Sequence, residues 1–181
     1  MHHFLIDDKS RTFGQSYLTP ILFMRNDDII QSIRYMLDLD DIEITKILKL
    51  RGYSPSREEI TAIFNDREEL PDAEPEDAPE ELMAYFLDGL IYYKRGKSDK
   101  HPPHPIKTPI TNNMVLKKMR VAFKLQEDDM HDIIEAAGFS MSKHEMSALF
   151  RSPKSTNYRE CGDQVLRYFL KGLTMRVLDE K

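Results

Sequence analysis

Residues 26–64, NDDIIQSIRYMLDLDDIEITKILKLRGYSPSREEITAIF, lie over residues 112–150, NNMVLKKMRVAFKLQEDDMHDIIEAAGFSMSKHEMSALF, at a constant shift of 86 without a gap. The apolar positions of the two stretches coincide almost everywhere. A second block, Leu82 to Leu90, matches Val165 to Leu173 at a shift of 83. Repetition on this scale marks a structural unit copied in tandem, and it lets each position be read twice. In the first copy Ile29, Ile30, Ile33, Met36 and Leu37 form an apolar stripe, repeated as Val115, Leu116, Met119, Ala122 and Phe123. That spacing is helical, whereas a strand would alternate with a period of two. The fold expected is all-α: two pseudo-symmetric four-helix modules packed together, with a proline-containing linker between them.

The punctuation of the helices repeats as well. Asn26 and Asn112 read as N-caps of the first helix, since a short polar side chain can accept from the exposed amides of a first turn. Asp27 and Asp28 then suit the positive end of the helix. The second helix, carrying Ile44, Ile47 and Leu48 and in the copy Met130, Ile133 and Ile134, stops at Gly52 and Gly138, where glycine tolerates the left-handed conformation. The third opens at Ser56 and Ser142, with Glu59 and Glu145 three residues on, the pattern of a capping box. Its buried face is expected to be Ile60, Ile63 and Phe64, and Met146, Leu149 and Phe150. The fourth helices share Tyr85-Phe86-Leu87-Asp88-Gly89-Leu90 and Tyr168-Phe169-Leu170-Lys171-Gly172-Leu173. Glycine inside a helix costs about 1 kcal/mol against alanine. Gly89 and Gly172 therefore signal a close helix crossing, expected at the seam between the modules. Arg34 and Arg120 recur beside the first stripe, where a long stem can cover the core with its charged head in water.

These readings divide the chain into a leader at 1–24, a first module at 25–95, a linker at 96–110 and a second module at 111–178. The leader has no counterpart before the second copy, and Met24 stands just ahead of Asn26, so the leader is read as a mobile extension or an upstream start. The linker holds Pro102, Pro103, Pro105 and Pro109, a composition that makes it extended and semi-rigid. A module of about 70 residues buries a modest core, which favours packing of one copy on the other. No apolar run approaches the ~18 residues of a membrane helix. Asp7 and Asp8 occupy the place where a signal peptide is positive. One cysteine, Cys161, excludes an internal disulfide framework and suits a reducing compartment. A cytoplasmic location is the expectation.

The net charge of −5 hides an asymmetry. Residues 25–92 carry 7 basic and 18 acidic side chains, a net of −11, whereas residues 111–178 carry 11 basic and 8 acidic, a net of +3. Opposed halves of this kind attract, within a chain or between chains, and the basic half can meet an acidic partner. The segment from Asp66 to Glu81 alone has nine carboxylates and three prolines. It is read as a solubilising loop, or as one that mimics a polyanion or docks a basic surface.

Longer motifs point to a family. Ile33-Arg34-Tyr35-Met36-Leu37, Gly89-Leu90-Ile91-Tyr92-Tyr93-Lys94-Arg95-Gly96, Asn112-Asn113-Met114-Val115-Leu116-Lys117-Lys118 and Tyr158-Arg159-Glu160-Cys161-Gly162-Asp163-Gln164 resemble the YehS-like bacterial proteins, built from a twice-occurring domain of unknown function. The resemblance runs from about Asn26 to Arg176, and the leader departs from it. It implies a small cytoplasmic bacterial protein and brings no established activity.

Chemistry is sparse. Cys161, with His144 nearby in sequence, is the candidate nucleophile, but a reactive thiol needs a depressed pKa and a base in reach. Cys161 and Asp163 show no counterparts in the first copy, and a residue in a helix-entry turn is the plainer reading. His101 and His104 lack the remaining ligands of a zinc site. Asp38, Asp40, Asp41 and Glu43 lack the glycine and terminal glutamate of a calcium loop. No metal or cofactor is expected.

Two binding readings remain. Ile44 to Phe64 and Met130 to Phe150 each read as helix, glycine turn and capped helix, the layout in which a second helix can enter a major groove. In the first copy that helix would present Arg57, Glu58, Thr61 and Asp66, which phosphate repels. The second offers Lys143, His144, Ser147 and Arg151, with Lys154 and Arg159 beyond and Lys117, Lys118, Arg120 and Lys124 on the first helix. The acidic pI of 5.7 argues against this footprint. The reading preferred is a non-catalytic cytoplasmic adaptor or regulator that binds a macromolecular partner, a protein in class, using Lys117, Lys118, Arg120, Lys143, His144, Arg151, Lys154 and Arg159 or the groove between copies. Nucleic-acid binding through the second copy is the alternative, and an enzyme using Cys161 the third.

Overall fold

A computed structural model describes residues 24–64, 77–97 and 104–180. Among the described residues the chain forms eight α-helices and no strand. They are α1 (Asn26–Leu37), α2 (Asp41–Lys49), α3 (Arg57–Phe64), α4 (Glu80–Arg95), α5 (Asn112–Ala122), α6 (Glu127–Ala136), α7 (Lys143–Ala148) and α8 (Asp163–Asp179). Of the leader expected at 1–24 only Met24 is described; the rest of it, the middle of the acidic loop, including Asp66, and His101 lie outside the described residues.

The apolar stripes read from the repeat meet in one continuous core. Ile30, Ile33 and Met36 are fully buried, as are Val115, Leu116 and Met119. Leu37 and Phe123, which end the two stripes, are both half-buried. Phe86 and Phe169, at matching places in α4 and α8, are each 0% exposed, so the duplicated units share their interiors and not merely their helices.

The turns match too. Asp38 and Lys124, 86 residues apart, both adopt a left-handed conformation at φ of 59° and 57°. Arg34 Nε then donates to the carbonyl of Leu39 at 3.2 Å, and Arg120 Nε to that of Leu125 at 3.2 Å. These arginines fasten the α1–α2 and α5–α6 corners, a correction to the expectation that their heads rest in water. The corner leaves backbone carbonyls without helical partners, and the guanidinium supplies the donor. Gly52 and Gly138 take φ of 89° and 96° at the ends of α2 and α6. Tyr53 packs on Tyr85 at 5.1 Å between ring centres, and Phe139 on Tyr168 at 5.2 Å. Both capping boxes form, with Glu59 N donating to Ser56 Oγ at 3.1 Å and Glu145 N to Ser142 Oγ at 3.2 Å.

Asn26 and Asn112 are not the N-caps expected. The caps are Arg25 and Thr111, one residue earlier, and Thr111 Oγ1 accepts from Met114 N at 3.3 Å. The asparagines instead reach across to the segment entering the fourth helix. Asn26 Nδ2 donates to the Ala78 carbonyl at 3.0 Å, and Asn112 Nδ2 to the Cys161 carbonyl at 3.1 Å. A buried carbonyl needs a donor, and this need outranks capping where threonine can cap instead.

Gly89 and Gly172 mark a close crossing, but not the seam between modules. A Cβ on Gly89 would lie 2.0 Å from the carbonyl oxygen of Ile47, and one on Gly172 2.0 Å from that of Ile133. The crossings are thus α4 on α2 and α8 on α6, each inside its own copy. The seam is made by α1 lying along α8 and α4 along α5. Ile110 N donates to Glu80 Oε2 at 2.6 Å where α5 and α4 begin, and Arg95 Nη1 to the Val121 carbonyl at 3.2 Å near their ends. The two helices therefore run parallel, and the chain must return the length of α4, about 24 Å, between them. That return takes a longer connection from Arg95 to Asn112 than the tight turn that suits antiparallel neighbours. At the other seam Met24 N donates to Asp163 Oδ2 at 2.9 Å, the same contact repeated between the start of α1 and that of α8.

Candidate interaction surfaces

The catalytic candidate is built into the interior. Cys161 is buried, its amide donates to Asn113 Oδ1 at 2.9 Å, and its carbonyl accepts from Asn112. Burial pushes its thiol up to about 12, and the charge of Asp163 adds to the shift. At neutral pH such a thiol keeps its proton and is a poor nucleophile. His144 stands exposed on α7, away from a buried environment of this kind. Both residues called unmatched do have counterparts. At the shift of 83, Ala78 takes the place of Cys161 and Glu80 that of Asp163, as the paired contacts of Asn26 with Ala78 and of Ile110 with Glu80 show. Cys161 is one version of a small buried residue at the approach to a fourth helix.

The basic residues of the second copy are spread over two helices and the α7–α8 connection, and most already have acceptors. Lys118 is paired with Asp88, a carboxylate that also meets Arg51 at 3.3 Å and so joins the turn after α2 to α4 and α5. Lys143 is paired with Asp128 at 2.6 Å and Arg159 with Glu145 at 2.6 Å. Lys117 Nζ donates to the Arg151 carbonyl at 3.3 Å, and Arg151 Nη1 to the Asn157 carbonyl at 3.3 Å. Arg120 fastens its corner and lies 5.0 Å over the Phe150 ring. His144 and Lys154 are exposed. The eight residues thus form a set that mostly serves the fold, with a small open positive area around α7.

A different pair of surfaces stands out once the copies are compared face by face. The outer side of α2 presents the exposed Asp41, Ile42, Lys46 and Lys49, with the half-buried Thr45 among them, at helical spacing on one stripe. With Leu50 and Lys97 they line an open cleft of about 570 Å³. Ile42 is 77% exposed, the highest value among the large apolar residues described. Lys49 and Lys97 have no ion-pair partner among the described residues, and Lys46 stands 6.0 Å from the ring of Tyr93.

At the shift of 86 the same stripe on α6 reads Glu127, Asp128, His131, Asp132 and Glu135, and at the shift of 83 Lys97 is answered by Glu180. Apart from the half-buried His131, these residues are exposed. One stripe is therefore basic with an apolar tip and its counterpart is acidic. Their signs run against those of the halves that carry them. The supports beneath are conserved in position and changed in chemistry: Tyr93 Oη donates to Glu43 at 2.8 Å, while at the matching place Arg176 pairs with Asp129 at 2.9 Å.

Within the acidic stripe, donor atoms of His131, Asp132 and Glu135 lie within 4.8 Å of one another. His131 Nε2 is engaged by the Met141 carbonyl at 2.7 Å, and Asp132 and Glu135 are open to solvent, 73% and 53% exposed. Three donors of this kind fall short of the four a structural zinc takes. Both stripes are legible in the sequence only where the outward positions of the two second helices are compared one by one, and there the charges change sign.

Among the described residues no helix is long and apolar enough to cross a membrane. No solved structure matches the chain. The chain is 39% identical over 153 residues to the uncharacterized protein YehS of Escherichia coli (strain K12), an alignment covering 84% of this chain and 96% of that one. Residues 26–96 and 112–177 each match the family described as a protein of unknown function, DUF1456, in register with α1–α4 and α5–α8. The chain belongs to that family and carries its domain twice.

Proposed function

We propose that the protein is a non-catalytic adaptor or regulator that binds a macromolecular partner, a protein, through the charged outer stripes of its second helices. One observation carries this reading: α2 and α6 keep the same buried face and the same crossing with the fourth helix, yet their exposed stripes have diverged to opposite charge. Packing constrains the inner face equally in both copies, so it does not account for the difference outside. The exposed Ile42 beside Lys46, Lys49 and Lys97 adds an apolar contact point to the basic stripe, along the open cleft it borders. The buried, protonated thiol of Cys161 supports the non-catalytic part of the reading.

Affinity capture from bacterial lysate tests it. A partner retained by the wild type and released by Lys46→Glu with Lys49→Glu, or by Asp132→Lys with Glu135→Lys, is the expected result. Equal retention by all three proteins contradicts it.

The alternative, nucleic-acid binding by the second copy, draws on the exposure of His144 and Lys154 beside Arg151. Phosphate contacts would make such binding steeply dependent on salt. A duplex and a single-stranded probe titrated at several salt concentrations test it, and the adaptor reading expects weak binding that Lys143→Glu with Arg151→Glu does not change.

A further inference from the structure

We propose that the basic stripe of α2 on one copy of this chain docks on the acidic stripe of α6 on a second copy, joining molecules head to tail. The inference rests on the reading that these stripes are binding surfaces, and it names a second copy of the chain as an occupant. Lys46 and Lys49 face outward three residues apart on α2, and Asp132 and Glu135 do so three residues apart on α6. Being the same positions of a repeated helix, the two pairs have the same spacing, about 4.5 Å along the axis, so opposite charges can meet in register. Lys97, just past α4, and Glu180, which ends α8 and meets Arg176 at 3.4 Å, stand at the matching ends of the two stripes.

Shape agrees with charge. The α2 stripe borders a cleft of about 570 Å³, and the exposed Ile42 gives it an apolar contact that salt does not screen. Within one molecule α2 packs on α3 and α4 and α6 on α7 and α8; Lys143 meets Asp128 at the edge of the α6 stripe, which leaves the exposed Asp132 and Glu135 to face solvent and another molecule. The contact is heterologous, since two different surfaces meet, and it continues into rings or open chains according to the angle at which it closes.

The sense of this contact is opposite to that suggested by the net charges of the halves. Attraction between an acidic first half and a basic second half would use Lys143, Arg151 and Arg159. Docking of stripes uses lysines of the first copy and carboxylates of the second.

The test is sedimentation velocity on the full chain at about 0.05 M and about 1 M salt, conditions that change the screening length severalfold. The wild type is expected to show a sedimentation coefficient that rises with concentration at low salt and falls to the monomer value at high salt. Lys46→Glu with Lys49→Glu and, separately, Asp132→Lys with Glu135→Lys are each expected to weaken self-association at least about tenfold. The first variant then presents two acidic stripes and the second two basic ones, so mixing them in equal amounts is expected to restore association at low salt. Arg151→Glu with Lys154→Glu, which reverses positive charge of the second copy without touching a residue paired to the α6 stripe, is expected to associate as the wild type does. A wild type that is monomeric at every concentration at low salt, a mixture that sediments as two monomers, or loss of association in the Arg151 and Lys154 variant would each overturn the proposal. A monomeric wild type would leave capture of a different partner untouched, whereas capture failing with self-association intact would overturn the adaptor reading and spare this one.

Discussion

Gly172 approaches the carbonyl oxygen of Ile133 so closely that a Cβ there would fall 2.0 Å away, and Gly89 stands in the same relation to Ile47. The atom met is backbone, which has no rotamer to move aside, so the two helices must separate to admit a methyl group. Glycine inside a helix gives up about 1 kcal/mol against alanine. Overpacking costs about 1–3 kcal/mol or more, and here it wins. Gly89→Ala and Gly172→Ala are each expected to lower unfolding stability in urea by about 1–2 kcal/mol net, by similar amounts. A stability gain at either glycine would show that the crossing is looser than described.

Asn113 is buried, and its amide serves three backbone groups: it donates to the carbonyls of Leu149 and Arg159 at 2.8 and 2.9 Å and accepts from Cys161 N at 2.9 Å. Together these tie α7 and the approach to α8 onto α5. Asn113→Ala strands buried groups, each costing about 1–3 kcal/mol less whatever water recovers, so a loss of about 2–4 kcal/mol is expected. Asn113→Asp keeps an acceptor but loses both donors, and is expected to be no better. Urea unfolding within 0.5 kcal/mol, roughly, of the wild type would contradict this account.

The Glu145 carboxyl is held down to about 2 by the Ser142 amide first, then by Arg159 and the Ser142 hydroxyl. A carboxyl that is more acidic folded than unfolded stabilises the fold above its ordinary value of 4.5, and this contribution is lost as pH falls from 4.5 toward 2. Thermal midpoints of the wild type and Glu145→Gln, measured through that window, are expected to converge as pH falls. A constant gap between the two would show that the charge of Glu145 plays no part.

The thiol of Cys161, pushed up to about 12 by burial, is expected to resist alkylation at pH about 8 in the folded chain and to react at once after denaturation. Cys161→Ala places in the second copy the residue that the first already has, Ala78, and is expected to cost about 1 kcal/mol or less. Stoichiometric labelling of native protein within seconds would point to a reactive cysteine.

Most of the architecture was legible because two copies give two readings of one interior. Ile33 and Met119, the glycines ending α2 and α6, and the serines opening α3 and α7 all follow from local rules that each copy obeys on its own. What escaped were choices between partners that lie far apart in the chain. Asn26 and Asn112 are sound cap residues, and only the carbonyls of Ala78 and Cys161 across the fold draw them away. Glycine spacing announced a crossing in α4 and α8 but not which helix crosses. Arg34 and Arg120 looked like solvent-facing stems because the carbonyls of Leu39 and Leu125 become acceptors only when the corner forms. The charged stripes were obscured by summing charge over each half, which mixes exposed positions with those spent on internal pairs such as Lys118 with Asp88.

The central claim is that α2 and α6 share an inner face that holds the fold and differ in an outer face that binds. Exchanging only the outer stripe of α2 for that of α6, by Ile42→Asp, Thr45→His, Lys46→Asp and Lys49→Glu together, separates these roles in one protein. The account predicts an unfolding stability within about 1 kcal/mol of the wild type, as for surface changes elsewhere, together with loss of both partner capture and low-salt self-association. Binding that survives the exchange, or a fold that collapses under it, would contradict the claim.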